Sequence, residues 1–376
     1  MFENLSLETL QIIWWMIVSL LGSILVFLMF VQGGQTLIFQ IAKTEDERTM
    51  LINSIGRKWD LTFTTLVTFG GAFFASFPLF YATSFGGAYW VWIVILFSFI
   101  IQAVSYEYRK KANNFLGQKT FEIFLFINGI LAPLCIGTAV GTFFTGSAFY
   151  INDMNLSEWK NSARGLEALL DYRNVTLGIS VYFLTRILGA QYFISSINDE
   201  QIYKRSKIII KKNAYYFTIF FVSFLSFLVK MDGYAVNPTT HEITKESTKY
   251  LHNLIQMPVV GFAFVIGALL VYAGIFLNLL KDNIRGIWLT ALGSIIVVFS
   301  LFMIAGLNHT AFYPSNYDLQ SSLTIYNSSS SHFTLTTMSY VAKAVPLVVA
   351  YIWYAWKSMN KKSIDNDEMK ENEHVY

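Results

Sequence analysis

Long apolar runs separated by short polar segments dominate this chain. A helix needs about 20 mostly apolar residues to cross a bilayer, and a backbone in lipid must satisfy its own hydrogen bonds. The pattern predicts an all-α polytopic membrane protein with about nine transmembrane helices in one transmembrane domain, residues 1–357, followed by a charged cytoplasmic tail, 358–376. The nine predicted helices lie near 10–32, 61–83, 88–106, 121–146, 174–196, 213–230, 257–280, 286–306 and 335–356.

The distribution of Lys and Arg predicts the orientation of these helices. Nineteen of the 27 basic residues fall on alternate loops and in the tail, and six fall on the opposite side. Because cytoplasmic loops carry an excess of Lys and Arg, we expect the N-terminus outside and the C-terminus in the cytoplasm. The long loops near 147–173, 231–256 and 307–334 are then external.

Composition narrows the classes of function. Only 14% of residues are charged and 54% are hydrophobic, whereas a soluble domain carries roughly 25% charged residues. The single cysteine, Cys135, excludes an internal disulfide, and none of the five histidines falls within an apolar stretch. We therefore expect no metal site and no haem held by histidine in this chain. We also expect no nucleic-acid partner.

Charges within the predicted helices are scarce. Arg186 lies near the middle of its helix, with no acidic residue at that depth. Either it is a structural arginine bonded to carbonyl groups, or it contacts a partner or a polar cavity. Lys343 lies nearer a helix end, from which its long side chain reaches the interface. A pump usually shows several titratable groups at membrane depth, so this chain is not expected to carry chemistry alone.

The second predicted helix and the segment before it hold the most distinctive residues. Asp60 stands at the helix start, where the helix dipole favours a carboxylate, and on that ground alone it is an ordinary helix-start acid. Gly70 and Gly71 are small residues that let helices approach closely. Pro78 is expected to kink the outer part of this helix.

These residues resemble subunit II of the cytochrome bd quinol oxidases, which shares an Asn-Ser-Ile, a Trp-Asp and a Gly-Gly-Ala-x-Phe-Ala-x-Phe/Trp-Pro pattern. The chain departs from the family at Val31-Gln32-Gly33-Gly34-Gln35, at 61–65 and at Gln102, where many members have acidic, polar or Arg residues, so it resembles a divergent branch. The matching runs, which cover nearly the whole chain, are Ile13-Trp14-Trp15, Glu47-Arg48, Asn53-Ser54-Ile55, Trp59-Asp60, 70–78, Tyr81, Tyr108-Arg109, Asp232-Gly233-Tyr234, 322–324, Ser329-Ser330, Thr334-Leu335, Met338 and Tyr376.

The resemblance implies a fold, partners and a location. The fold is two four-helix bundles plus one peripheral helix, in the bacterial cytoplasmic (inner) membrane. Subunit II is the non-haem scaffold for subunit I, which carries haem b and haem d, oxidises membrane quinol and reduces dioxygen to water in aerobic respiration. A structural quinone in this chain and a small single-helix subunit beside it are further expectations.

The resemblance also implies site residues. Asp60 is expected in a path that brings protons from the cytoplasm, with Glu107, Lys111 and the terminal Tyr376 at its mouth. Glu107 and Lys111 are four residues apart, so they also fit an ordinary exposed ion pair. Trp59, Gly70, Gly71, Pro78 and Arg186 are expected to be structural. A secondary transporter and an assembly factor without catalytic role remain the alternatives.

Overall fold

Helices make up most of the chain between residues 7 and 359. The computed structural model describes residues 2–111, 113–281, 283–360 and 364. Eight helices in this part of the chain are long and apolar enough to cross a membrane, as expected of a polytopic membrane protein. They are Leu7–Gln35, Tyr89–Tyr108, Gln118–Thr145, Tyr172–Ser196, Glu200–Leu228, Pro258–Leu280, Gly286–Gly306 and His332–Met359.

The first half of the chain also contains shorter helices that the hydrophobic pattern did not predict. A capping box begins one of them, since the Thr44 hydroxyl accepts from the Glu47 N–H and the Glu47 carboxylate accepts from the Thr44 N–H. In chain order the helices are α1 (Leu7–Leu28), α2 (Phe30–Gln35), α3 (Ile38–Ile41), α4 (Glu45–Gly56), α5 (Trp59–Ser76), α6 (Pro78–Tyr81), α7 (Tyr89–Tyr108) and α8 (Gln118–Thr145).

The second predicted segment, 61–83, is α5 followed by the single turn α6. Helix α5 ends at Ser76 because Phe77 leaves the helical region, with φ −133° and ψ 65°, ahead of Pro78. Four threonines dilute its apolar character, and it is not among the eight spans. The count of nine transmembrane helices therefore stays a prediction.

The second half of the chain continues with helices and two β-hairpins. The hairpins fall in the loops predicted to be external. The helices are α9 (Tyr172–Ser196), α10 (Glu200–Leu228), α11 (Lys249–Gln256), α12 (Pro258–Leu280), α13 (Gly286–Gly306), α14 (His332–Ala342) and α15 (Val345–Met359); the antiparallel strand pairs are β1 (Phe149–Ile151) with β2 (Ser157–Trp159) and β3 (Gly233–Val236) with β4 (Ile243–Glu246).

Two predicted helix bounds in this half are wrong. Helix α10 begins at Glu200 rather than near 213, because its first turns are rich in Lys and Arg and hydropathy marks only the apolar part of a helix. The last segment is not continuous, since α14 ends at Ala342 and α15 begins at Val345, next to Pro346. Proline cannot donate a backbone hydrogen bond, which explains the break at Lys343.

Helix α9 lies at the centre of the packing, against α2, α8 and α10. Glycines bring its backbone into direct contact with α2. A Cβ placed on Gly33 would lie 1.9 Å from the Thr185 carbonyl oxygen, and one on Gly189 would lie 2.4 Å from the Gly34 nitrogen. Small residues permit such close approach between membrane helices, and here it brings Arg186 beside the α2–α3 turn.

Candidate functional site

Ion pairs join α4 to the end of α7 and to the start of α10, where loops rich in Lys and Arg lie. We call this side of the molecule the basic face. Arg205, near the start of α10, donates to Glu47 of α4 at 2.7 Å, and Arg109, just after α7, donates to Glu45 of α4 at 2.9 Å. Helix α4 therefore links the ends of α7 and α10. Its polar residues reach partners on both sides, so it is the organising element of this face.

Asp60 lies on the basic face as the second residue of α5, with an exposed side chain. Its neighbour Trp59 stacks on Tyr106 of α7, with ring centroids 5.9 Å apart and planes 20° apart. This contact fixes the start of α5 against α7. Thr64 and Thr68 follow Asp60 at one-turn spacing, and both are exposed as well.

Two of the predicted mouth residues, Glu107 and Lys111, pair with each other. Lys111 and Glu107 form an ion pair at 3.0 Å with side chains that are 58% and 59% exposed, so they match the ordinary surface pair that the spacing allows. No hydrogen bond or ion pair within the described residues joins Asp60 to either of them. Tyr376 lies outside the described residues, and the proton path through these four residues stays a prediction.

The residues expected to be structural take different positions. A Cβ on Gly70 would lie 3.3 Å from the Phe85 ring, so Gly70 packs inside the chain, whereas Gly71 is exposed and has open space around it. Pro78 begins α6. Gly71 therefore serves no close approach within this chain, and it shares the exposed side of α5 with Asp60.

A buried charge cluster on the basic face was not predicted as a site. Arg109 and Glu122, with side chains 0% and 1% exposed, are joined at 2.7 Å. Arg48 donates to Glu122 at 3.3 Å and to Glu45 at 2.9 Å, so two arginines and two carboxylates close a network. The Glu47-Arg48 and Tyr108-Arg109 pairs in the matching runs were the available signals, but both arginines counted only as loop charges.

Lys58 is a second buried cation on this face. Its side chain is fully buried, its ammonium has no hydrogen-bond acceptor within the described part of the chain, and it lies 5.0 Å from the centre of the Trp356 ring. Burial, with a smaller contribution from Arg57, lowers the pKa of the Lys58 amine from 10.5 to about 8. The Trp356 ring supplies the cation–π attraction that remains.

Arg186 is bonded to neutral side chains, and its structural role stays a prediction. Its guanidinium donates to the Asn213 amide oxygen at 2.8 Å, the Gln40 amide oxygen at 2.8 Å, the Thr36 hydroxyl at 2.7 Å and the Tyr182 hydroxyl at 3.1 Å. No carboxylate pairs with Arg186 within the described residues. Four dipoles therefore replace a counter-ion around this charge.

Metal-ligating residues do not cluster in the part of the chain that the structure describes. The described histidines lie in loops, in the short helix α11 or at a helix end. His332 opens α14 and its Nε2 lies 2.9 Å from the Leu5 carbonyl oxygen. These positions do not offer a histidine ligand at membrane depth.

Comparison with known proteins identifies the family. The chain matches the sequence model of the family described as cytochrome bd terminal oxidase subunit II over residues 10–359. It is 27% identical over 381 residues to cytochrome bd-I ubiquinol oxidase subunit 2 of Escherichia coli (strain K12), with 98% of each chain covered. It is 26% identical over 324 residues to cytochrome bd ubiquinol oxidase subunit 2 of Bacillus subtilis (strain 168), with 83% of this chain and 85% of the relative covered.

A solved structure shares the fold. A chain of the bd oxidase from Geobacillus thermodenitrificans superimposes with a TM-score of 0.56 at 11% identity, over 94% of this chain and 98% of that chain. At this identity the likeness concerns the fold alone, and the family match concerns the sequence. The two agree over almost the full length, and the chain belongs to the cytochrome bd terminal oxidase subunit II family.

Proposed function

We propose that this chain is the non-haem subunit of a quinol oxidase that reduces dioxygen to water in the bacterial cytoplasmic membrane. The match to the family over residues 10–359 carries this proposal. Haem b and haem d belong to subunit I in this scheme, which fits the positions of the described histidines. Nothing in the described residues favours the transporter alternative, since the charged cluster lies at one face rather than at mid-depth.

The exposed side of α5 is the surface that subunit I covers in this proposal. Asp60, Thr64, Thr68 and Gly71 all lie on it. Polar side chains facing lipid are unfavourable, and small residues favour close helix contact. A protein partner satisfies both conditions, so the first role of this chain is to scaffold its partner through α5.

Asp60 is the proton-collecting group of this interface. Its carboxylate lies at the basic face, which we take as the cytoplasmic side because of its Lys and Arg content. A carboxylate there takes up protons from bulk water, and the hydroxyls of Thr64 and Thr68 extend the polar side of α5 beyond it. Protons consumed in dioxygen reduction then arrive from inside, which separates charge without pumping.

Replacement of Asp60 tests this role in the assembled oxidase. Asp60→Asn keeps the shape of the side chain but cannot carry a proton, so we expect oxygen consumption to fall at least about tenfold. Haem content and the amount of complex should be normal, and Asp60→Glu should restore most of the rate. The measurement is quinol-driven oxygen uptake by purified complex.

The matched control is Asp46→Asn. Asp46 is also an exposed acid in the first turn of a helix on the basic face, the α4 helix. Its loss should leave oxygen uptake unchanged. Equal rates in the Asp60→Asn and wild-type complexes would remove Asp60 from the mechanism and return it to a plain helix-start acid.

A further inference from the structure

Four amide side chains form a buried ladder in the first half of the chain. Gln32 and Gln35 lie on α2, Gln102 on α7 and Asn128 on α8, and each side chain is fully buried. We call these four residues the amide ladder. The asparagine and three glutamines are neutral, so the ladder differs from the charged cluster at the basic face.

Contacts place the four amides along one line between α2, α7 and α8. The Gln35 amide donates to the Tyr106 hydroxyl at 3.0 Å, and the Asn128 amide donates to the Ser98 hydroxyl at 3.3 Å. Gln102 lies on α7 one turn from Ser98 and one turn from Tyr106, on the same side of the helix. It therefore stands between the other two contacts.

Helix α8 contacts α2 directly at Gln32, the fourth residue of the amide ladder. A Cβ placed on Gly129, the neighbour of Asn128, would lie 2.6 Å from the Gln32 carbonyl oxygen and 3.2 Å from Cβ of Gln35. Gln32 and Gln35 thus lie next to the α8 turn that carries Asn128. At 1.5 Å per residue, the ladder from Ser98 to Tyr106 extends about 12 Å along α7.

Six polar atoms of the ladder have no hydrogen-bond partner in the described protein. They are both side-chain polar atoms of Gln32, both of Gln102, Oε1 of Gln35 and Oδ1 of Asn128. A buried unsatisfied polar group costs about 1–3 kcal/mol. Six of them would cancel much of the 5–15 kcal/mol that typically stabilises a folded protein, so these atoms need polar partners beyond the contacts described above.

The chemistry of the six atoms selects the ligand. Four are acceptor oxygens and two are donor NH₂ groups, so a cation would meet donors and an anion would meet acceptors. A molecule that both donates and accepts satisfies the whole set. Buried water makes about three such bonds at sites of this kind.

We propose that the amide ladder holds a file of ordered water molecules inside the subunit. The file runs from Ser98 to Tyr106, three residues before the buried Arg109–Glu122 pair. It lies between α2, α7 and α8, whereas Asp60 lies on the exposed side of α5. The file is therefore a separate site, and its presence does not depend on the proton-collecting role of Asp60.

Radiolytic footprinting of the assembled oxidase tests the file. Hydroxyl radicals formed from bound water modify adjacent aromatic rings, even when bulk solvent cannot reach them. Tyr106 and Tyr250 are both buried, at 2% and 0% exposure, and the Tyr250 hydroxyl donates to the Phe144 carbonyl oxygen. We expect Tyr106 to be modified several-fold faster than Tyr250, as read by mass spectrometry.

A variant within the ladder gives the second measurement. Gln102→Leu removes two of the six atoms, so we expect several-fold slower modification of Tyr106. Gln11→Leu is the control, because Gln11 is buried but its amide donates to the Ser329 hydroxyl at 2.6 Å; it should leave Tyr106 unchanged. Tyr106 as unreactive as Tyr250 in the wild type, or unaffected by Gln102→Leu, would overturn the proposal.

A density map of the wild-type oxidase at a resolution that shows ordered solvent covers the case in which Gln102→Leu does not assemble. Water peaks at hydrogen-bonding distance from Gln32, Gln102 and Asn128 are expected. Amides that pair with one another or with another molecule in that map would refute the water file. Neither result depends on oxygen uptake by the Asp60 variants.

Discussion

Two arginines are buried in this chain with opposite kinds of partner. Arg109, at the end of α7, lies 2.7 Å from the Glu122 carboxylate and 2.9 Å from Glu45. Arg186, within α9, meets the oxygens of two amides and two hydroxyls and no carboxylate in the described chain. One region neutralises its charge, and the other solvates it.

The difference follows from the position of each arginine. Arg109 lies beside α4 and the start of α8, where acidic residues are tolerated because water is near. Arg186 lies inside a span, where an acid would add its own desolvation cost. A charge surrounded by dipoles keeps its positive potential, whereas the Arg109 network of two arginines and two glutamates has none in sum. Arg109 therefore holds helices together through ion pairs, whereas Arg186 provides a fixed positive potential within a span.

The largest loss of stability is expected for Arg109→Met. It leaves the buried Glu122 carboxylate without its main partner, and breaking a buried pair from one side costs about 3–5 kcal/mol. We expect a large fall in the free energy of unfolding of the assembled complex, measured by denaturant titration in detergent. Purification of this variant should yield little intact oxidase.

A second substitution identifies the cause. Glu122→Gln in the Arg109→Met background removes the buried charge that has lost its main partner, so the double variant should be more stable than Arg109→Met alone. Strictly additive effects in this double-mutant cycle would mean that the two groups do not interact. In that case the cluster would stabilise the fold through packing rather than through charge.

A smaller effect is expected at Arg186. Arg186→Met removes a charge but leaves neutral acceptors, which find other donors or water more readily than a carboxylate does. We expect a loss of about 2 kcal/mol in the free energy of unfolding. The sharper test is Asn213→Asp, which puts a carboxylate where the arginine now meets an amide at 2.8 Å.

That carboxylate should be tolerated only beside the arginine. Asn213→Asp with Arg186 present should be close to wild type in stability, and with Arg186→Met it should cost at least about 3 kcal/mol. An equal cost in both backgrounds would show that Arg186 does not act through its charge. The comparison with Arg109 would then rest on packing alone.

The hydrophobic pattern predicted the fold better than it predicted the charged sites. Apolar runs located the eight spans because lipid leaves a chain few other forms. They misplaced the start of α10, because a helix continues into water beyond its apolar part. They also missed α4, which begins with four charged residues and whose buried part, 49–56, includes polar residues and is too short for a span.

The charged sites depended on contacts that no short pattern contains. Arg186 stood out because it interrupts an apolar run, but its four neutral partners come from separate segments that the sequence does not bring together. Arg109 and Glu122 did not stand out, because each lies at a helix end and their pairing depends on how α7, α8 and α4 meet. Asp60 was found through the family motif, and its exposed position on α5 became visible only in the fold.

Lys58 extends the comparison to a buried cation that has no hydrogen-bonded acceptor among the described residues and feels Asp60 only at a distance, and it should give the smallest effect. With a pKa lowered from 10.5 to about 8, the folded protein binds fewer protons than the unfolded chain between those pH values. The free energy of unfolding should therefore rise with pH across that window. The net shift, which is mostly due to burial, corresponds to about 3 kcal/mol, and the contact with the Trp356 ring offsets about 2 kcal/mol.

Lys58→Met should accordingly stabilise the complex by about 1 kcal/mol near neutral pH, where the protonated amine is held in the interior. It should also remove the rise in stability between about pH 8 and 10.5. The measurement is the unfolding free energy of both proteins at the two ends of that window. A Trp356→Leu variant should instead lose more stability at the lower pH than at the higher pH, because a neutral amine has no cation–π attraction to lose. If Trp356→Leu cost the same at both ends, the ring would hold α15 by packing, and Lys58 would need a partner other than the ring.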